Sequence, residues 1–144
     1  MKKRNITVCI VILCAMCFLS TYGARFYGEW KTAHSGIPDA VSSMRFNKDE
    51  HLVVVANSSE IKDKEAFARQ VVHMCQEDSF GSMKLSSMPA RLEVTVYLQR
   101  DAIGENDPVC KIEYIPLEYH DSYDIRNNME KFHLYLDGEE IEFY

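Results

Sequence analysis

Once its first residues are set aside, the sequence is short of positive charge. The chain has 16 lysines and arginines against 22 aspartates and glutamates. Three of the basic residues are Lys2, Lys3 and Arg4, so the remainder holds 13 against 22, a net charge of −9. A body of that sign repels phosphate backbones, and no basic stripe with interleaved aromatics interrupts it, which argues against a nucleic-acid partner. The acidity itself is the ordinary solvated surface of a soluble domain.

Reactive motifs are missing too. There is no G-x-S-x-G, no H-E-x-x-H and no glycine-rich phosphate loop. The five histidines (His34, His51, His73, His120 and His133) have no metal-ligand spacing among themselves or with cysteine. The sequence therefore predicts no catalytic residue, no metal and no cofactor. No internal repeat and no low-complexity tract is present.

The amino terminus carries the clearest positive signal. Lys2, Lys3 and Arg4 are followed by an apolar stretch from Ile6 to Leu19, broken only by Thr7, and then by small and polar residues from Ser20 to Ala24. That order predicts a signal peptide or signal anchor over residues 1–24. The charges would stay cytoplasmic, with the body outside. Cleavage after Gly23 would release a secreted protein. The aromatics Phe26, Tyr27 and Trp30, at the place where a spanning helix leaves the bilayer, argue instead for a retained single-pass anchor. Lipid attachment at Cys14 or Cys17 fits poorly, because Leu13 and Met16 precede them where a small residue is wanted.

Residues 25–43, with Gly28, Gly36 and Pro38 and no sustained period, read as a connector holding at most a short turn of helix. Setting residues 1–24 aside leaves 120 residues, enough for a single core, and residues 44–144 read as one extracytoplasmic domain. Met44–Phe46 and His51–Ala56 flank the polar run Asn47–Glu50 as a hairpin. Asp63 is placed to cap a helix whose inward positions are Ala68, Val71, Val72 and Cys75, with Gly81 just past its end. Ser79–Pro89, rich in serine and methionine, reads as a flexible loop. Leu92, Val94, Val96 and Leu98 alternate with polar residues as a half-buried strand, and Cys110, Ile112 and Tyr114 form the inward face of its partner. Asp137-Gly138 sits between alternating arms as a two-residue hairpin turn, which pairs Leu134 with Ile141 and Phe132 with Phe143. The predicted class is α+β, one main helix on a largely antiparallel sheet in β-β-α-β-β-β-β order, preceded by the hydrophobic helix.

Few residues stand out for chemistry. Cys75 and Cys110 are the only cysteines beyond the first segment, and both fall on inward positions. They are a candidate disulfide, permitted by export, against the alternative of two buried thiols. Glu118, His120, Asp121 and Asp124, with Tyr119 and Tyr123 between them, form the densest polar cluster. It is either a cation or ligand loop or a solvated connection. Tyr97, Tyr135 and Tyr144 fall on outward strand positions and are candidates for an interaction surface. Asn57-Ser58-Ser59 fits a glycosylation acceptor, which matters only in a eukaryotic secretory pathway.

The expectation is a non-catalytic binding module, membrane-tethered or secreted, of a bacterial cell envelope, with a protein partner there. An accessory subunit acting through its amino-terminal helix is the alternative, and a small extracytoplasmic enzyme a weaker one.

Overall fold

The computed structural model describes residues 2–143, with side chains from Ile10 onward. The chain divides into a unit ending at His34 and a unit beginning at Ser35. The first is one helix, α1 (Lys2–Ala33). Its segment Ile10–Ala33 has a mean hydropathy of 1.5 and no buried side chain, which suffices by length and composition to span a membrane or serve as a signal sequence. The segment read as a connector is therefore mostly regular. The helix runs on through Gly23 and Gly28, supported by the Arg25–Glu29 ion pair (3.1 Å) and the stacking of Trp30 on Tyr27 and His34. It stops where Gly36 takes a left-handed backbone (φ 68°) just before Pro38.

The second unit is a six-stranded sheet with one helix. Its elements are β1 (Asp39–Phe46), β2 (Asp49–Val55), α2 (Lys64–Glu77), β3 (Arg91–Tyr97), β4 (Cys110–Pro116), β5 (Phe132–Leu136) and β6 (Glu139–Ile141). The strands lie side by side in chain order. Only β2 and β3 are parallel, because α2 carries the chain back to the end from which β2 started; the other neighbours are antiparallel. The class and element order agree with those read from the sequence.

Local chemistry accounts for the boundaries. The Asp63 carboxylate accepts the Ala66 amide at 2.9 Å and caps α2. The helix ends earlier than Gly81, at Asp78, which adopts the left-handed conformation (φ 52°) and returns its amide to the Cys75 carbonyl. Asp137 and Gly138 both have positive φ (52° and 87°), as a two-residue hairpin turn with the strands' own twist requires. Leu134 pairs with Ile141 as predicted, but the ladder ends there. Phe132 and Phe143 meet instead across the Tyr114 ring, each 5.0 Å from it.

One face of the sheet carries the core. Leu52, Val54, Leu92, Val94, Val96, Ile112, Tyr114 and Leu134 pack with Phe67, Ala68, Val71, Val72 and Cys75 of α2. Phe80 and Leu85 close this layer, so Ser79–Pro89 is not the free loop that its composition implies. Three anchors tie it down. Asp39 accepts the amides of Gly81 and Ser82, both at 3.0 Å, and Asp78 accepts that of Leu85 at 2.7 Å. Arg45 donates to Ser86 Oγ and to the Ser87 carbonyl.

Arg45 also meets a buried charge. Its Nε lies 2.8 Å from Glu50, whose side chain is 3% exposed, and Ser43 donates to the same carboxylate. These residues sit on the core side at one end of the sheet, in register with Leu92 and Tyr114.

Candidate functional site

The face opposite α2 has a different character. Because side chains alternate along a strand, the registers place Met44, His51, Glu93, Glu113, Tyr135 and Glu140 in one row across all six strands. Met44 and Glu140 are exposed and the four between them are half-buried. Ser42, Val53, Thr95 and Lys111 form the adjacent row.

Glu93 and Glu113 stand directly opposite each other, a like-charged pairing that costs energy unless cations intervene. Two do. Arg91 reaches Glu93 at 2.9 Å and Glu113 at 3.8 Å, and Lys111 reaches them at 3.6 and 3.4 Å, while the His51 ring lies 3.3 Å from Glu93. The centre of the face is thus a balanced, half-exposed ion network. Exposed pairs of this kind contribute only about 0–1 kcal/mol each, so their consequence lies in orientation and specificity more than in stability.

Apolar residues gather at one end. Phe46 (71% exposed) shares its row with Asp49 and Arg91, while Leu117 (69%) and Tyr119 (66%) follow the end of β4. The β1–β2 turn and this loop touch, since Lys48 Nζ donates to the Asp121 carbonyl. That end is remote from Ser35, because the chain enters at the other end of β1, where the Asn57 side chain donates to the Ile37 carbonyl at 2.9 Å. Asn57 is buried and its amide is committed, which makes it unsuited to carry a glycan.

Of the predicted surface tyrosines, Tyr135 lies in the central row. Tyr97 is half-buried next to Val55, on the same sheet, and Tyr144 lies outside the described residues. The structure does not gather the polar loop residues into one site. Tyr119 donates to Asp121 at 2.9 Å, and this bond to a carboxylate raises the phenol's pKa. His120 pairs with Ser122 at 2.7 Å and packs against the Tyr123 ring. Asp124 faces inward to its own turn. Partial burial would raise its pKa, but hydrogen bonds from the Asn127 side chain and the Asn127 and Arg126 amides, with the Arg126 charge, hold it below the usual carboxylate range. Glu118 is exposed. Among the described residues no three His, Cys, Asp or Glu side chains converge as a metal-binding group.

What fixes this loop is a residue that the sequence reading passed over. Ile125 is fully buried, its amide donates to the Pro89 carbonyl at 3.0 Å, and its own carbonyl accepts from Gln76 at 2.9 Å. A single isoleucine among Asp, Arg and Asn gives no periodic signal, although an isolated large aliphatic in a polar loop is itself a hint of an anchor.

The two body cysteines lie toward opposite ends of the sheet. Cys110 is in register with Val96 and Val54, near Lys64 at the start of α2, whose ammonium holds the Val109 carbonyl at 2.7 Å. Cys75 is in the last turn of α2, where Glu50 and Asp78 act on it. Positions 64 and 75 are eleven helical steps apart, about 16 Å of axis, whereas a disulfide needs Cα atoms within roughly 7 Å. Both are free, buried thiols in this structure. Burial pushes the Cys75 thiol far up, with Glu50 and Asp78 adding to it, and raises Cys110 to about 11, helped by Asp137 and opposed by Lys64. Neither is a nucleophile near neutral pH. The expected result is that Cys75 and Cys110 resist alkylation in the native protein. Both react fully in denaturant without reductant, as peptide mapping by mass spectrometry would report; a reductant-dependent signal would show a bridge.

An open groove of about 490 Å³ lies beside the outer surface of α2, lined by Arg69, Gln70, His73, Gln76, Met129 and Phe143. Arg69 donates to the Glu142 carbonyl at 2.9 Å and Gln76 to that of Ile125, so these polar groups already serve the fold. No protein family, curated protein or solved structure matches this chain.

Proposed function

We propose that the protein is a non-catalytic binding module of a bacterial cell envelope, held at the membrane by α1 and presenting its open sheet face to a protein partner. The observation that carries this reading is the arrangement of that face. An ion network and Tyr135 occupy its centre, and exposed Phe46, Leu117 and Tyr119 lie at the end remote from Ser35. Aromatic anchors beside oriented charges are the composition of a recognition surface. Arg91 and Lys111 hold Glu93 and Glu113 in ion pairs, and His120 and Asp121 are engaged separately.

In this reading Lys2, Lys3 and Arg4 remain cytoplasmic and the body lies outside. At 1.5 Å per residue α1 is about 48 Å long, more than the roughly 30 Å of a hydrocarbon core. The last turns, with Arg25, Glu29 and Lys31, would therefore project beyond it as a stiff stalk. Cleavage after Gly23 would give a secreted form of the same module.

The experiment is site-specific photo-crosslinking in membranes of the producing cell. A photoactivatable residue at Tyr135 gives a discrete protein adduct, and the same residue at Lys62, on the exposed segment before α2, does not. Equal, diffuse labelling from both positions would remove the reading.

A further inference from the structure

The two outer edges of the sheet are unequal. β6 is three residues long and carries Glu139 and Glu140, a short, charged edge of the sort that discourages strand addition. β1 is eight residues long and pairs only with β2 among the described residues. Two of its side chains, Met44 and Phe46, are large, apolar and 68% and 71% exposed. A long edge with exposed apolar residues is the usual template for adding another strand.

We infer that β1 is a homodimer edge, at which two copies of this chain pair their β1 strands antiparallel and join their sheets into one. The geometry of β1 selects a second copy. Its register slips at Val41, and it ends at the turn residue Asn47, which has φ 57°. Between those interruptions lies the regular stretch Ser42–Phe46, whose midpoint is Met44. Two such stretches laid antiparallel use their full length in a single register, with Met44 opposite Met44 of the second copy.

That register is chemically self-consistent. On the open face it sets Met44 against Met44 and each Phe46 beside a Ser42, so the exposed apolar side chains cover one another. On the other face each Arg45 meets Ser43, so the two arginines are not opposed, and each keeps its own Glu50. Sliding the pairing by one residue in each strand would set Arg45 against Arg45, or leave both Phe46 side chains beyond the paired stretch. Since β6 is blunted, the pairing is isologous and closes at two copies, whereas β1 on β6 would propagate into fibres. The pairing takes up Met44 and Phe46 at the lateral edge and leaves Tyr135, Leu117 and Tyr119 to whatever binds the open face.

The test is disulfide trapping in the full-length, membrane-extracted chain with Cys9, Cys14 and Cys17 replaced by serine. Residues directly opposite in an antiparallel pair have Cα atoms about 4.5–5.5 Å apart, inside the range of a disulfide. Mild oxidation of Met44→Cys therefore yields a covalent dimer as the main product. Ser42→Cys, whose two copies would lie about 13 Å apart along the strands, stays monomeric, and mixing Ser42→Cys with Phe46→Cys restores the cross-link as a heterodimer. Both side chains at 42 and 44 are exposed, so neither change threatens the fold. Equal trapping at 42 and 44 would mean association through α1 or random collision and would overturn the inference, as would the absence of a dimer at 44.

Discussion

Replacing Arg45 by methionine lowers the free energy of unfolding by about 3–5 kcal/mol, the cost of leaving a buried charge without its partner. Glu50 has a side chain only 3% exposed and stands on the core face, in register with Leu92. Arg45, 2.8 Å away, is its one cation among the described residues, and Ser43 supplies a neutral hydrogen bond. Methionine fills much of the arginine's volume, so the loss measures charge more than packing. The same change releases the Ser86 and Ser87 contacts that hold the loop after α2. A urea titration of the body reads the effect as a lower midpoint with an unchanged slope. The paired variant Arg45→Met with Glu50→Leu recovers most of the loss, because a buried ion pair exchanged for apolar residues is often neutral. A single variant within about 0.5 kcal/mol of the parent would show that Glu50 is hydrated and that the pair is only a surface contact.

Ile125→Ala is expected to cost about 2–5 kcal/mol, the range for emptying a fully buried aliphatic site. The side chain is the apolar plug of the long connection between β4 and β5, and its backbone is bonded on both sides, to Pro89 and to Gln76. Losing it loosens Leu117–Asn128 before it loosens the sheet, so limited proteolysis in that segment accelerates ahead of global unfolding. Asp121→Ala, at an exposed position bonded to Tyr119, changes stability little. If Ile125→Ala behaved like Asp121→Ala, the loop would not be anchored through the core, and the fixed position of Tyr119 and Leu117 beside the sheet would lose its basis.

What was legible in the sequence follows from where one periodicity dominated. β3 and β4 alternate cleanly because one face is buried and the other wet, and Asp63 and Asp137-Gly138 announce a cap and a turn by their chemistry. β1 was legible only in its last residues. In Asp39–Ser43 the apolar residues Ala40 and Val41 are adjacent and the segment lies on an edge, so no apolar alternation marks it, and its extent is set by pairing to β2. α1 outran its hydrophobic stretch because nothing in Arg25–Ala33 breaks a helix, although nothing there drives one by amphipathic period either.

Glu50 was hidden by context. It closes the polar run Asn47–Glu50 and reads as turn, yet it shares strand parity with Leu52 and Val54, and that parity points it inward. The separation of the two body cysteines was hidden for a related reason. Inward-facing positions on a helix and a strand establish a shared layer, but not which end of it each residue occupies. Cys75 and Cys110 share the layer and not the end. The make-up of the open face was half legible. Outward parity found Tyr97 and Tyr135, while the cation cluster around Glu93 and Glu113 depends on a strand order that no local pattern specifies.

The central claim is that the recognition surface belongs to the body and that α1 acts as a tether. It is tested most directly by replacing residues 1–24 with an unrelated single-pass anchor and repeating the photo-crosslink from Tyr135. The account predicts the same adduct at an undiminished yield. Loss of the adduct, with the exchanged chain still folded and membrane-bound, would contradict it and assign recognition to the amino-terminal helix.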